Sequence, residues 1–321
     1  MESKDKVSTL QYLPVNLFGS VMGLSGLALA WRLSHRLFGT YHFISEAIGC
    51  LAILVFIVLA IAYIRKLALF PQIVKAEFEN PIAGNFFGTI TIAILLLSSV
   101  ISPYSQSLQQ AVWLIGVFLT LLITCIIIRR LLNVKQDFHH AVPAWLIPGV
   151  GTLDVVVAGG TMPFSWAREV NLLCFSIGSI LALVFFTLIF SRLMHHDAMP
   201  DKLTPSLIIL IAPFEVGFLS YVNLTKRIDA FASILFYFGL FMFVVLFSKV
   251  FKRGLPFGAS WWAVSFPMAA LSNAALLYAH SVNTWLLKTI AALILLILTF
   301  VITTLFIRTF IYLIKGQLLK P

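Results

Sequence analysis

The stretch WWAVSFPMAA (Trp261–Ala270) sets a large ring, Phe266, directly before a proline, Pro267, inside an apolar run. Facing lipid, the pair would have no chemistry to do. On the axis of a helical bundle, a phenyl ring excludes water and blocks a hydrated ion without offering it a charge. A proline beside it removes a backbone hydrogen bond and loosens the helix. Two acids also stand inside apolar runs, Asp154 and Glu215. An ionised acid at mid-bilayer costs about 2.5–3.5 kcal/mol. Kept protonated by burial, each is a neutral donor and a candidate proton or selectivity site; the plain alternative is a hydrogen-bonded acid tying neighbouring helices. GLSG (Gly23–Gly26) matches the GxSG of intramembrane serine proteases, but His280, the partner such chemistry would need, falls at the far end of its run. Close helix packing through small residues accounts for GLSG better, and no catalytic residue is assigned. His139, His140, His195 and His196 have no completed ligand set at diagnostic spacing, so neither a metal nor a cofactor is expected. Cys50, Cys125 and Cys174 all lie in apolar runs and read as buried thiols.

The elements that would position these residues are membrane helices. Of 321 residues, 60% are hydrophobic and 11% charged, where a soluble domain has about 25% charged. A span needs about 20 apolar residues, and ten runs qualify: 14–33, 43–64, 84–101, 109–128, 142–160, 169–190, 204–224, 228–250, 259–279 and 284–314. The fifth is the weakest, being interrupted by Pro143, Pro148, Gly149, Gly151 and Asp154. A polar segment, 1–13, precedes this 14–314 domain, a tail, 315–321, follows it, and no cleavable leader is expected. With the N-terminus in the cytoplasm, only Arg32, Arg36, Arg168, Lys226, Arg227 and Lys288 of the 22 basic residues fall outside. The positive-inside rule therefore puts both termini in the cytoplasm. The net charge of +10 is then mostly membrane-surface electrostatics, and no nucleic-acid partner is implied.

Short outer links and longer inner ones pair the runs into five hairpins. The odd runs hold the irregular residues: Gly19, Gly23, Pro148, Gly149, Asp154, Pro213, Glu215, Phe266 and Pro267. The even runs are plain, as in LAILVFIVLAIAYI. Broken backbone and acids are tolerated at membrane depth only inside protein or beside water. The expectation is an all-α membrane protein in which an inner ring of odd helices surrounds a central pore and even helices face lipid. No Lys or Arg lies well inside an odd run. Anion preference would then rest on helix-end dipoles and backbone groups freed by Pro148, Pro213 and Pro267.

LPVNLFGSVMGLSGLALAW, VPAWLIPGVG, IAPFEVGFLSYVNL, WWAVSFPMAALSNAALLYAH and LIKGQLL resemble, in matching order, segments of the bacterial tellurite-resistance TehA family. SFPM also resembles the ninth helix of the plant guard-cell slow anion channels of the same superfamily. The resemblance implies a homotrimer in the bacterial inner membrane, each protomer with its own five-helix pore. It implies a channel or transporter for small anions such as chloride and nitrate. A pore-lining phenylalanine would occlude it, at the position of Phe266, with Phe18 and the Gly and Pro residues above beside the pore. At Asp154 and Glu215 the sequence departs from the family's apolar pattern. That departure keeps open a proton-coupled carrier of dicarboxylate, sulfite or tellurite oxyanions.

Overall fold

The structure, a computed structural model, describes residues 9–319; the remainder of the 1–13 segment and of the tail lies outside the described residues. Among the described residues there are eleven α-helices and no strand. The first five are α1 (Phe18–Phe38), α2 (His42–Leu69), α3 (Pro71–Glu79), α4 (Gly88–Ile101) and α5 (Gln106–Asn133). Then come α6 (Leu146–Gly159), α7 (Ala167–His195), α8 (Ala212–Thr225), α9 (Ala230–Val250), α10 (Ser265–Val282) and α11 (Trp285–Ile314). Among the described residues nine helical stretches are long and apolar enough to cross a membrane, so the chain is a multi-pass membrane protein. The expected fifth span, Pro143–Gly159, is apolar but shorter.

The contrast between odd and even runs is visible as burial. In Val15–Phe38, Ala83–Ile101, Thr204–Thr225 and Ala259–Val282, between 67% and 89% of the apolar stretch is buried. In the even runs the share is only 17% to 39%. The unburied side chains are large and apolar, such as Phe118, Leu183, Val244 and Phe300, which suits a hydrocarbon surround. Helix α1 packs on α4, α4 on α6, α6 on α8, α8 on α10, and α10 back on α1, closing a ring of five. Helices α2, α5, α7, α9 and α11 each pack on the ring helix before them.

All five ring helices begin in the same way. Each follows directly on a 3₁₀ segment: Val15–Leu17, Ala83–Phe87, Pro143–Trp145, Thr204–Ile211 and Ala259–Val264. Proline explains part of this. Pro148 and Pro267 are the third residues of α6 and α10, and Pro213 is the second of α8. First-turn positions have no intrahelical donor role, so proline is tolerated there. Its ring would clash with the carbonyl four residues back, so the α-helix cannot extend upstream and the tighter 3₁₀ spiral replaces it. Pro267 therefore marks a change of helix type at the head of α10, where the sequence suggests a loosened point within a helix.

The seam between α1 and α10 depends on absent side chains. A Cβ on Gly23 would lie 2.5 Å from Ser265, and one on Gly26 2.5 Å from the Ala269 Cβ. Across this seam Ser265 Oγ donates to the Gly19 carbonyl at 3.0 Å, and Asn273 Nδ2 donates to the Gly26 carbonyl at 2.9 Å. GLSG is thus a packing surface. At the head of α1, Glu77 of α3 accepts from the Val15 N–H at 2.8 Å and from Lys66 Nζ at 2.6 Å. Lys66 is almost fully buried and also donates to the Leu13 carbonyl at 2.7 Å. Trp262 Nε1 donates to Thr309 Oγ1 at 2.9 Å, so the heads of α1 and α10 share one end of the bundle with the foot of α11. We call this the terminal end.

Candidate functional site

Two cavities lie along the middle of the ring. The one toward the terminal end, about 30 Å³, is lined by the first turns of the ring helices, including Gly19, Thr89, Ile147, Ala212 and Pro267. The other, about 300 Å³, is lined by later turns of the same helices, including Gly26, Leu96, Asp154, Val216 and Asn273. Among the described residues, Phe266 is the one common to both linings. It is 7% exposed, and its place in the second residue of α10 is fixed by the proline behind it and the Gly23–Ser265 contact beside it.

The chemistry of the two cavities differs. The smaller is lined mainly by apolar side chains, with Asn16 and Thr89 as its polar members and, among the described residues, no ionisable side chain. Thr89 Oγ1 is committed to the Phe86 carbonyl at 2.6 Å. The larger carries Arg32 and Arg36 of α1, Asp154 of α6, and the amides Gln109, Asn223 and Asn273. Both Arg32 Nη atoms donate at 2.9 Å, to the Ser99 and Val100 carbonyls.

The sequence-level candidates separate clearly. Gly19, Phe266 and Pro267 line the small cavity, and Asp154 the large one. Phe18 turns outward instead, edge-on to Phe56 and Tyr63 of α2 at 6.1 and 5.9 Å. Gly23 lies in the α1–α10 seam, and Gly149 faces Leu181 of α7. The Pro148 carbonyl accepts from Thr124 of α5 at 3.1 Å, and neither Pro148 nor Pro213 lines either of the two cavities. Glu215 lies off the axis as well. It is fully buried on α8, and a Cβ on Gly239 of α9 would sit 2.1 Å from its Oε1. Neither of its carboxyl oxygens, nor Asp154 Oδ2, has a hydrogen-bond partner among the described residues.

Arg32 and Arg36 were missed as site residues. They sit near the end of their run, where Lys and Arg are read as topology signals, and only the inward turn of their helix face makes them cavity residues. Their spacing of four, one helical turn apart on one face, was the available signal. Among the described residues no group of three His, Cys, Asp or Glu side chains could hold a metal ion.

The fold is a ring of five buried helices, jacketed by helices with apolar outer faces and enclosing two cavities. The chain belongs to the SLAC1 voltage-dependent anion channel family, whose profile matches residues 12–310. It is therefore an anion-channel family member and not an enzyme. It is 24% identical to the guard cell S-type anion channel SLAC1 of Arabidopsis thaliana, over 96% of this chain and 57% of that protein. Identity to the S-type anion channel SLAH3 of the same plant is 24%, over 93% of this chain and 48% of the relative. The tellurite resistance protein TehA homolog of Haemophilus influenzae is 26% identical, over 84% of this chain and 82% of its own length. The chain thus spans about half the length of the plant relatives and most of the bacterial one.

Proposed function

We propose that each copy of the chain is a channel for small monovalent anions, chloride and nitrate among them, and that Phe266 is its gate. The supporting observation is that, among the described residues, Phe266 alone borders both cavities. An ion moving between them would have to pass its ring. In this reading ten helices cross the membrane as five hairpins, with Pro143–Trp145 and α6 forming the short fifth crossing. Both termini are cytoplasmic in a bacterial inner membrane, and three copies assemble, each with its own pore. The 3₁₀-to-α junctions bring five helix heads to the level of the small cavity, where their dipoles favour an anion. The absence of an ionisable group there keeps binding weak enough for release.

Asp154 supports a second reading. A carboxyl on the larger cavity, with one oxygen unpartnered, is placed to exchange a proton with the anion path, as a proton-coupled carrier of dicarboxylate, sulfite or tellurite oxyanions requires. Reversal potentials of the reconstituted protein under opposed chloride and pH gradients separate the two. A channel gives a potential that follows chloride and ignores pH. A proton-coupled carrier gives one that moves with pH, and Asp154→Asn abolishes that movement.

A further inference from the structure

Among the described residues, every ionisable side chain on the two cavities lies on one side of Phe266, in the larger chamber. The polar groups there are not equally available to an anion. Asn273 has both amide N–H groups committed, to the Gly26 and Ala269 carbonyls at 2.9 and 2.8 Å. Asn223 Nδ2 donates to the Val157 carbonyl at 3.0 Å and Gln109 Nε2 to Thr161 Oγ1 at 3.2 Å. Asn273 therefore has no amide N–H left for an anion, and Asn223 and Gln109 have one each. The arginines differ.

Arg32 is anchored and still has donors to spare. Its two bonds go to carbonyls at the end of α4, where the last C=O groups of a helix lack internal partners. A guanidinium has five N–H donors in a rigid fork. Two are used here and Nε is itself buried, which leaves one N–H on each Nη for a ligand. A long basic side chain near a span end would ordinarily extend toward the headgroups; this one is tied to the neighbouring ring helix. Among the described residues no carboxylate makes an ion pair with Arg32 or Arg36, and Asp154, on the same chamber, pairs with neither.

We propose that Arg32, with Arg36 one turn beyond it, is the loading site of the pore, where a small monovalent anion exchanges hydration for guanidinium contacts before reaching Phe266. The inference rests on the pore reading above and adds the residue that fixes affinity on this side. Its chemistry is that of halide or nitrate held weakly by a charge that two carbonyls already share, so the ion can leave again.

The test uses the full-length chain carrying Phe266→Ala, reconstituted in liposomes, with initial chloride flux measured against chloride concentration on the Arg32 side. Adding Arg32→Gln should raise the half-saturating chloride roughly three- to tenfold, as expected for losing one charge across a partly hydrated chamber. Flux at saturating chloride should change little. Arg32→Lys keeps the charge but not the fork, and should restore most of the affinity. Raising ionic strength with an impermeant salt should shrink the difference. An unchanged half-saturation in Arg32→Gln would overturn the proposal. So would equal impairment of Arg32→Gln and Arg32→Lys with a lowered melting temperature, which would make Arg32 only a cap on α4. A second measurement does not depend on the gate: chloride in place of gluconate should raise the melting temperature of the otherwise wild-type protein. Arg32→Lys should keep that rise and Arg32→Gln should lose it. If Phe266→Ala carries no flux yet this pattern holds, the gate reading fails and the loading site stands; if Arg32→Gln keeps the rise, the loading site fails.

Discussion

Asp154 and Glu215 look alike in sequence, each an acid in a broken odd run, and the fold gives them different surroundings. Asp154 borders the larger cavity, while Glu215 points from α8 into the jacket and occupies the space that Gly239 leaves open. The sequence marks both as unusual because acids at membrane depth are rare. It cannot give their direction, because each residue turns about 100° around the helix and the ring's closure decides which side is inside. The same limit hid Arg32 and Arg36. Gly239→Ala tests the placement of Glu215. A methyl group there meets the carboxyl at 2.1 Å, and overpacking of this kind costs about 1–3 kcal/mol. Thermal unfolding in detergent should show that loss, and pairing the change with Glu215→Ala should recover much of it. A Gly239→Ala protein as stable as wild type would mean that Glu215 lies elsewhere.

At the scale of elements, the proline-marked odd runs were legible as irregular, but the form of the irregularity was not. Pro148, Pro213 and Pro267 read in sequence as interruptions within long helices. In the fold they stand in the first turns of α6, α8 and α10, after 3₁₀ segments. Nothing in the residue pattern distinguishes a kink from a change of helix type, since both are consequences of one missing N–H and one ring clash. The energetic consequences differ. Replacing a proline inside a continuous helix by alanine relieves a penalty of about 3 kcal/mol, whereas a first-turn proline carries almost none. Pro267→Ala should therefore shift unfolding by less than about 1 kcal/mol and leave anion conductance no higher than wild type. A large gain in stability would return Pro267 to the middle of a helix.

Across the whole molecule, the polarity of alternate runs foretold the arrangement well. Plain Leu, Ile, Val and Phe runs became the jacket, and runs carrying Gly, Pro and acids became the ring, because irregular backbone needs protein around it. The run broken by Pro143, Pro148 and Gly149 became the short fifth element, Pro143–Gly159. What the pattern could not supply was closure. The contact of α10 with α1 joins residues 246 and 247 positions apart, Ser265 with Gly19 and Asn273 with Gly26, and helical periodicity carries no information over that distance. Closure is what sets Phe266 against two cavities of unequal size, one mainly apolar and one carrying Arg32, Arg36 and Asp154.

The central claim, that this ring blocks an anion path, is tested most directly by anion current through reconstituted Phe266→Ala. Truncation of a phenylalanine that only packs would cost about 3–5 kcal/mol and open nothing. Removal of a plug should leave the protein extractable and raise the chloride current several-fold, with Phe266→Leu in between because it still fills part of the gap. A Phe266→Ala protein that reaches the membrane intact and passes no more chloride than wild type would contradict the account.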